Sequence, residues 1–383
     1  MRNTRELVVL AARFDGVKTL SVYLDWSGSD PAQGEQWRVT LKQRIGALRA
    51  SLKTAPHAER EAFEDCVARV LSLLPQTGSP RGARGWMGFA TASGVTQAES
   101  LPVMVPTVVA WDDRLRLAPY VAVLEMRPAL LVVVDHHRAV FHRYLRTSLS
   151  RIDDLEREEH VTVQPPMSDT PRRGFHPGTR GTAARDDAAR QLQGAYARFR
   201  SDVRRHIEAL DRSGDYVVLA GAPEVVAHVA SDLAPARRSR THLAHEVGAT
   251  ASGVELVHAV ARGVEALRSA QLREEIDEVL GESKAGGRAA LGEPDVTRAL
   301  ERGAVELLLL TWRIIADHPE AAETLVRSAL ARGGRVEVAR GADADVLEGA
   351  AGGIAARLRF RPLPAERSGA GSRAGGRMPA RAG

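Results

Sequence analysis

The feature that most constrains the fold is an uninterrupted apolar run, ALLVVV at residues 129–134. A polar DHHR turn and a second β-rich run, AVFHRYLR, follow it directly. Consecutive side chains of a strand point to opposite faces, so a strand that is apolar at every position is covered on both faces. The stretch therefore predicts a β-hairpin whose first strand is buried inside an α/β domain.

An amphipathic helix is predicted further along the chain. Its apolar side chains follow one another at intervals of 4, 3, 4, 4 and 3 residues, which places them on one helix face. They are Leu192, Tyr196, Phe199, Val203, Ile207 and Leu210. The opposite face carries Arg190, Arg198, Arg204, Arg205 and Glu208. The segment 215–233 then has the pattern of a strand, a tight turn and a helix, which completes this domain near residue 250.

The chain before the hairpin also alternates between strand and helix patterns. TLSVYLD at 19–25 predicts a strand, and residues 35–53 and 57–74 predict two charged amphipathic helices. ARGWMGFA and GVTQAESLPV predict two strands joined at 91–94. The prolines within 102–128 indicate a connector without regular structure.

A third alternating region follows the central domain. Residues 254–281 predict a long helix, and GESKAGGRAALGE predicts a flexible glycine-rich link. Residues 293–361 then alternate between helices and the strands AVELLLL, RVEVA and GIAARLRF. This pattern is typical of a small α/β sandwich.

The fold class predicted for the whole chain is therefore α/β, in an α+β arrangement, with three domains. We predict an N-terminal α/β domain at 1–127, a central domain at 128–250 and a C-terminal α/β/α sandwich at 251–361. Residues 362–383 are predicted to be a disordered basic tail, because Gly, Ala, Ser and Pro dominate them. The tail is either a solvated end or a sequence-independent arm for nucleic acid.

Composition excludes several classes of protein. Cys66 is the only cysteine, so neither a disulfide framework nor a cysteine-based zinc site is available. The apolar run ELVVLAARF is too short to span a bilayer, and no signal peptide is recognisable. We therefore expect a cytoplasmic protein without membrane contact.

The segment just before the amphipathic helix is the candidate functional site. Residues 164–185 contain four arginines against Asp169, and the glycines of 171–184 allow the backbone to approach a ligand closely. Thr182 is predicted to be the N-cap of the helix, whose first N–H groups favour phosphate. Arginine forks suit phosphate, and a histidine ring stacks on unpaired bases. The predicted RNA-contacting residues are Arg172, Arg173, His176, Gly178, Thr179, Arg180 and Arg185.

Other chemistries have weaker support in the sequence. GTRGT at 178–182 is not a nucleotide-binding P-loop, and no Gly-x-Ser-x-Gly elbow is present. A metal-dependent ribonuclease would need acidic ligands, for which the candidates are Asp135, Asp154, Glu158, Asp186 and Asp187.

The histidines lie in two short stretches, DHHRAVFH and HLAH. Strand alternation would place His136 and His142 on one face of the hairpin. Zinc requires a third or fourth ligand, which neither this pair nor His242 and His245 supplies. We therefore predict no metal site and no cofactor.

Four stretches of the sequence resemble the archaeo-eukaryotic class 1 release factor and Pelota superfamily, specifically its bacterial members. TLSVYLD is similar to the opening strand of the family's first domain. ALLVVVDHHRAVFHRY and DYVVLAGAPEVVAHV are similar to two parts of its central ribonuclease-H-like domain. RGAVELLLL, LVRSALARGGRVEVA and GGIAARLRF resemble its C-terminal domain, which docks a translational GTPase.

The resemblance implies that loop 171–184 is inserted near the ribosomal peptidyl-transferase centre. Releasing members of the family carry a Gly-Gly-Gln tip there, whereas this chain has Gly-Thr-Arg-Gly-Thr at 178–182 and its nearest glutamines, Gln191 and Gln193, fall inside the helix. The stop-codon-reading Asn-Ile-Lys-Ser tetrapeptide is also missing. The resemblance thus implies a ribosome-rescue or hibernation factor in the A site, without stop-codon reading and without assigned catalytic residues.

The implied partners are the ribosome, through ribosomal RNA and tRNA, and a GTPase of the elongation-factor-Tu type. Three alternatives stay open. One is a peptidyl-tRNA hydrolase that uses His176, or a water held by backbone amides, in place of the glutamine. The second is the metal-dependent ribonuclease. The third is a structural or scaffolding protein, because folds are reused without the ancestral activity.

Overall fold

The computed structural model describes residues 2–26, 36–75, 83–101, 104–124, 128–145, 148–157, 180–211, 215–248 and 250–361. The described chain is a mixed α/β structure with three sheets, which confirms the predicted fold class. It divides into two compact units: Val9–Glu274 form one, and the chain up to Val8 together with the chain from Glu275 onwards forms the other. Among the described helices, none combines the length and apolar composition that crossing a bilayer requires.

The first sheet is antiparallel, with four strands in the order β3-β2-β1-β4. Its strands are β1 (Thr19–Asp25), β2 (Gly85–Thr91), β3 (Gly94–Leu101) and β4 (Val108–Asp112). The helices of this region are α1 (Arg2–Arg13), α2 (Gln36–Ser51), α3 (His57–Leu73) and α4 (Ala118–Leu124). Apolar side chains of α2 and α3 pack on one face of the sheet, against Leu20, Val22 and Leu24 of β1.

The prediction of an unstructured connector at 102–128 is wrong, because this segment contains β4 and α4. Pairing with the buried strand β1 supplies the hydrogen bonds that make the five-residue β4 a strand. The prolines are compatible with both elements. Pro106 precedes β4, and Pro119 lies in the first turn of α4, where a missing N–H breaks no helical hydrogen bond.

The central sheet has the order β7-β6-β5-β8-β9. Its strands are β5 (Ala129–Val134), β6 (Arg138–Leu145), β7 (Ser148–Glu156), β8 (Tyr216–Gly221) and β9 (Thr241–Ala244). Its helices are α5 (Arg180–Leu210), α6 (Pro223–Asp232), α7 (Pro235–Arg238) and the long α8 (Gly253–Lys284). Only β6 runs against the other four strands. Numbered along the domain, this is the 3-2-1-4-5 order of a ribonuclease-H-like sheet.

The predicted hairpin is confirmed as β5 and β6, and β5 is buried at every position. Leu130, Val132 and Val134 face a cluster formed with α5 and α6. Leu131 and Val133 face the opposite cluster, which includes residues of α8. The acidic stretch after the hairpin is a third strand, β7, which the sequence did not predict. It is an edge strand, and its exposed charges oppose pairing with another chain.

The third sheet has the order β10-β13-β11-β12, in which β11 and β12 are parallel and β13 is antiparallel to its neighbours. Its strands are β10 (Ala289–Leu291), β11 (Val305–Thr311), β12 (Arg335–Ala339) and β13 (Ile354–Leu358). The surrounding helices are α9 (Glu293–Glu301), α10 (Trp312–Asp317), α11 (Pro319–Ala331) and α12 (Gly341–Ala351). The prediction of a flexible link at GESKAGGRAALGE is wrong, because α8 extends to Lys284 and Ala289–Leu291 pair with β13.

Candidate nucleic-acid interface

Helix α5 begins at Arg180, directly after the basic glycine-rich segment. The prediction that Thr182 caps the helix is therefore wrong, and residues 180–184 belong to the helix rather than to the loop. Alanine and arginine are strong helix formers, so Ala183, Ala184 and Arg185 support a helix that starts before Thr182.

The predicted RNA-contacting residues lie at or before the start of this helix. Arg172, Arg173, His176, Gly178 and Thr179 lie outside the described residues. The backbones of Arg180 and Arg185 lie in the first two turns of α5, whereas the structure does not describe their side chains. The geometry of the described site therefore comes from α5 and the sheet beside it.

The C-terminal half of α5 anchors the helix on the central sheet. Phe199, Val203 and Ile207 are buried in the cluster that also contains residues of β5 and β6. Leu192, which the periodicity places on the same face, is 44% exposed instead. Tyr196 is thus the first described residue of α5 that packs on the domain. It stands 16 residues after Arg180, which corresponds to about 24 Å of helix.

Three rings meet where α5 reaches the domain. His136 of the β5–β6 turn lies 5.9 Å from the Tyr196 ring, centroid to centroid, with the planes tilted by 36°. His228 of α6 lies 6.2 Å from the same ring, nearly perpendicular to it. The Tyr196 hydroxyl is 3.3 Å from Nδ1 of His228. Both imidazoles are exposed and the tyrosine is half-buried, so the rings present an aromatic surface to solvent.

Arg200 completes this group, which we call the ring cluster: His136, Tyr196, Arg200 and His228. Its guanidinium carbon lies 5.5 Å from the Tyr196 ring centre, and its Nε lies 3.4 Å from Oδ2 of Asp232. Burial raises the pKa of the Tyr196 hydroxyl, an effect that Arg200 opposes and Glu224 and Asp232 reinforce. The hydroxyl therefore stays protonated at neutral pH and remains a hydrogen-bond donor.

The ring cluster has the chemistry of a surface for unpaired nucleotides. Aromatic and imidazole rings stack on bases of any sequence, and a guanidinium binds phosphate or stacks as a cation on a ring. No pattern in the sequence predicts this cluster. His136 belongs to the hairpin turn and Tyr196 to the periodic face of α5, and His228 carries no local signal because only the packing of α6 brings it to Tyr196.

The two described candidates for metal-binding acids are already engaged by the protein. The Asp135 carboxylate accepts hydrogen bonds from the backbone N–H groups of His137 (2.7 Å) and Arg138 (2.8 Å), as in an Asx turn. Asp154 is held by Arg151 (2.6 Å) and Arg138 (2.9 Å), and these hydrogen bonds lower the pKa of its carboxyl.

The other three predicted metal ligands cannot be placed beside them. Glu158 lies outside the described residues, as do the side chains of Asp186 and Asp187. Among the residues that the structure describes, no three or more His, Cys, Asp or Glu side chains form a group that could hold a metal ion.

The hairpin histidines do not share a face. His136 lies in the turn and contacts α5, whereas His142 lies within β6, two positions before Tyr144, which packs in the cluster with α8. Strand alternation does not extend into the turn, which is why the predicted pairing of the two histidines is wrong. His242 lies elsewhere, its Cδ2 2.9 Å from where a Cβ on Gly263 would lie.

His142 makes folding sensitive to mild acid. Burial lowers the pKa of its imidazole below the ordinary 6.5, the charge of Arg151 lowers it further, and its buried Nδ1 has no hydrogen-bond partner in the described structure. Protonation therefore favours the unfolded chain, so stability that is present above pH 6.5 decreases as the pH falls below it.

We expect the free energy of unfolding to decrease between pH 7.5 and pH 5.5, and to decrease less in His142→Leu. Urea denaturation at both pH values measures the difference. Equal decreases in the two proteins would contradict this role of His142.

Comparison with known proteins identifies similar structures but no family. No family model matches the chain, and neither does any curated protein. Solved structures that are similar include Pelota of Archaeoglobus fulgidus, at 19% identity and a TM-score of 0.36. They also include Dom34 of S. cerevisiae, described as a translation termination-like factor that interacts with Hbs1, at 17% identity and a TM-score of 0.42. An archaeal translation termination factor, aRF1, is similar at 20% identity and a TM-score of 0.25.

The extent of these similarities differs. With Pelota and Dom34, the alignments cover 62% of this chain and 66% and 64% of theirs. The chain thus spans just under two thirds of the length of these two proteins. With aRF1, the alignment covers 93% of this chain and 98% of that one.

Proposed function

We propose that this chain is a ribosome-binding factor of the rescue or hibernation type. It enters the A site and inserts the stretch 171–184, whose last five residues begin α5, near the peptidyl-transferase centre without reading a stop codon. Arg172, Arg173 and Arg180 contact ribosomal RNA or tRNA, together with His176, Gly178, Thr179 and Arg185. The central domain at 128–250 delivers the loop, and the C-terminal domain at 251–361 contacts a GTPase of the elongation-factor-Tu type.

The observation that supports the proposal is that α5 packs on the central sheet through its C-terminal half. Phe199, Val203 and Ile207 pack this half on the sheet, and about 24 Å of helix precede Tyr196, the first packed residue among those whose side chains the structure describes. A helix is a stiff connection, and its N-terminal N–H groups favour phosphate. The basic, glycine-rich stretch is joined to that end, so the helix suits a segment that must reach RNA at a distance from the domain.

The ring cluster supports an RNA partner for the same domain. It lies at the base of α5 and offers exposed imidazoles beside Arg200, which suits unpaired nucleotides. Because the resemblance aligns Gly178, Thr179 and Arg180 with the Gly-Gly-Gln tip of releasing family members, the proposed action is occupation of the site rather than hydrolysis.

Cosedimentation with 70S ribosomes tests the proposal. We expect the chain to sediment with ribosomes, including those from stationary-phase cells, and the variant Arg172→Ala/Arg173→Ala/Arg180→Ala to bind at least about tenfold more weakly, because three phosphate contacts are removed. The control replaces Arg262, Arg298 and Arg313, exposed arginines that pair with carboxylates, and should keep wild-type binding. A wild-type chain that never sediments with ribosomes would refute the proposal.

A release assay separates occupation from hydrolysis. Ribosomes carrying peptidyl-tRNA are mixed with the chain, and free peptide is measured with and without GTP. We expect no peptide release, because no residue replaces the family's glutamine. Release that needs no GTP and disappears in His176→Ala would instead establish a peptidyl-tRNA hydrolase. Magnesium-dependent RNA cleavage abolished by Asp135→Asn would establish the ribonuclease.

A further inference from the structure

One edge of the C-terminal sheet collects arginines from four separate points of the chain. Strands β11 and β12 are parallel and start at this edge, and the antiparallel strand β13 ends there. β10 is antiparallel to β13, so its start lies at the same edge. The residues just outside these strand ends form what we call the arginine edge, and all are exposed: Arg288, Arg302, Arg332, Arg359 and Arg361.

Backbone carbonyls hold two of these guanidinium groups in place. Arg359 donates to the carbonyl oxygens of Arg332 (2.9 Å) and Gly303 (3.3 Å), and Arg332 donates to that of Glu301 (3.2 Å). These carbonyls lie at the C-terminal ends of α9 and α11, where the helix dipole favours a cation. The two side chains are thereby oriented before any ligand arrives.

Within the described residues, the hydrogen-bond partners of the Arg332 and Arg359 guanidinium groups are carbonyl oxygens, which carry no formal negative charge. Elsewhere in the same unit, arginines are paired with carboxylates: Arg298 with Asp295, Arg313 with Glu348, Arg335 with Glu275 and Arg357 with Glu278. At the arginine edge, five arginines stand against Glu301 and Glu282, and the Glu282 carboxylate accepts a hydrogen bond from the backbone N–H of Arg288. The nearby Glu278 and Glu306 carboxylates pair with Arg357 instead. The edge is therefore a concentrated positive surface.

An aromatic ring lies within this positive surface. Phe360 is placed between Arg359 and Arg361 and is 54% exposed. An exposed aromatic side chain that is flanked in sequence by two arginines suits a ligand that combines negative charge with flat rings. Phosphates bind guanidinium forks, and unpaired bases stack on phenylalanine.

We infer that the arginine edge and Phe360 bind unpaired RNA. The guanidinium groups contact the phosphates, and Phe360 stacks on a base. This inference goes beyond the proposed function, which assigns the C-terminal domain only to a GTPase, and it does not depend on loop 171–184. An acidic protein surface would satisfy the arginines but not the ring, so the test distinguishes the two ligands.

Fluorescence anisotropy with a labelled oligouridylate RNA tests the inference in the full chain. The starting protein for this experiment carries Ala at positions 172, 173 and 180, so that the stretch before α5 does not contribute to RNA binding. Adding Arg332→Gln, Arg359→Gln and Arg361→Gln should weaken RNA binding about tenfold or more and reduce the salt slope by about 2, because each lost phosphate contact removes about 0.7 from the slope. The control variant Arg262→Gln/Arg298→Gln/Arg313→Gln removes the same number of charges and should leave the RNA affinity and the salt slope unchanged.

A second variant keeps the test valid if the triple substitution lowers stability. Phe360→Ala removes only an exposed ring, and it should weaken RNA binding about fivefold or more while leaving binding of polyglutamate unchanged. Equal RNA affinity in the triple variant and its matched control would overturn the inference. Loss of polyglutamate binding with unchanged RNA binding would overturn it in favour of an acidic protein partner.

Discussion

Gly221→Ala should destabilise the central domain by about 4 kcal/mol, because a side chain at this position would collide with the neighbouring strand. Gly221 is the last residue of β8 and pairs with Val134 of β5. A Cβ at this position would lie 2.0 Å from the carbonyl oxygen of Val134, and the neighbour is backbone, which cannot move aside cheaply. Its φ of 119° is also a conformation that L side chains rarely adopt.

The close approach is needed because the chain turns here from β8 into α6. The backbone N–H of Gly221 donates to Val247 O, and that of Ala222 donates to Val134 O, both at 2.9 Å. A side chain would break this arrangement at the edge of the sheet that carries His136 and His228. We therefore expect the proposed ribosome binding to fall together with stability.

Chemical denaturation measures the effect of Gly221→Ala, with Gly248→Ala as its control. Gly248 lies in the same region, and a Cβ there would have no heavy atom within 4 Å. The control should change the free energy of unfolding by less than about 0.5 kcal/mol. Similar stabilities for the two variants would show that the β5–β8 contact is looser than described.

Asp215→Ala should cost about 3–5 kcal/mol, because it removes one partner of a largely buried ion pair. Nη1 of Arg143 lies 2.5 Å from Oδ2 of Asp215, and the two side chains are 16% and 9% exposed. Nη2 of Arg143 also donates to the carbonyl of Leu210, the last residue of α5, at 2.6 Å. This arginine of β6 thus joins the end of α5 to the residue that precedes β8.

The reason for the large cost is the charge that remains. Without Asp215, the guanidinium of Arg143 keeps the Leu210 carbonyl as a partner but stays charged in a poorly solvated position, and Arg143→Met takes the counter-charge of Arg143 away from the Asp215 carboxylate. The double variant removes both charges. Its loss of stability should therefore be clearly smaller than the sum of the two single losses, which a double-mutant cycle measures.

The exposed pair of Arg262 and Glu246 provides the control. Its side chains are 60% and 49% exposed, so Arg262→Ala should cost less than about 1 kcal/mol. If Asp215→Ala costs no more than this control, the pair between β6 and β8 does not hold the central domain together.

The elements that the sequence predicted well are those whose pattern is local. The apolar run of β5 and the turn after it specify a hairpin, because six consecutive apolar side chains must be covered on both faces. TLSVYLD became β1 with the predicted bounds. The buried face of α5 follows its periodicity from Tyr196 to Ile207.

The elements that the sequence missed depend on partners elsewhere in the chain. β4, β7 and β10 are short or highly charged, and each is a strand because it pairs with a neighbour already in place. The early start of α5 has a different origin, because here two local preferences compete. A glycine and a threonine suggest a loop, while the alanines after them favour the helix that forms.

The sequence by itself determined the α/β class, the central hairpin, the amphipathic helix and the basic character of the segment before that helix. Hydrophobic periodicity and charge are local properties that can be read along the chain. Only the tertiary structure decided the 3-2-1-4-5 strand order, the ring cluster and the arginine edge. These join residues such as His136 and His228, or Arg288 and Arg359, that are far apart in sequence and meet only when the strands pair and the helices pack on them.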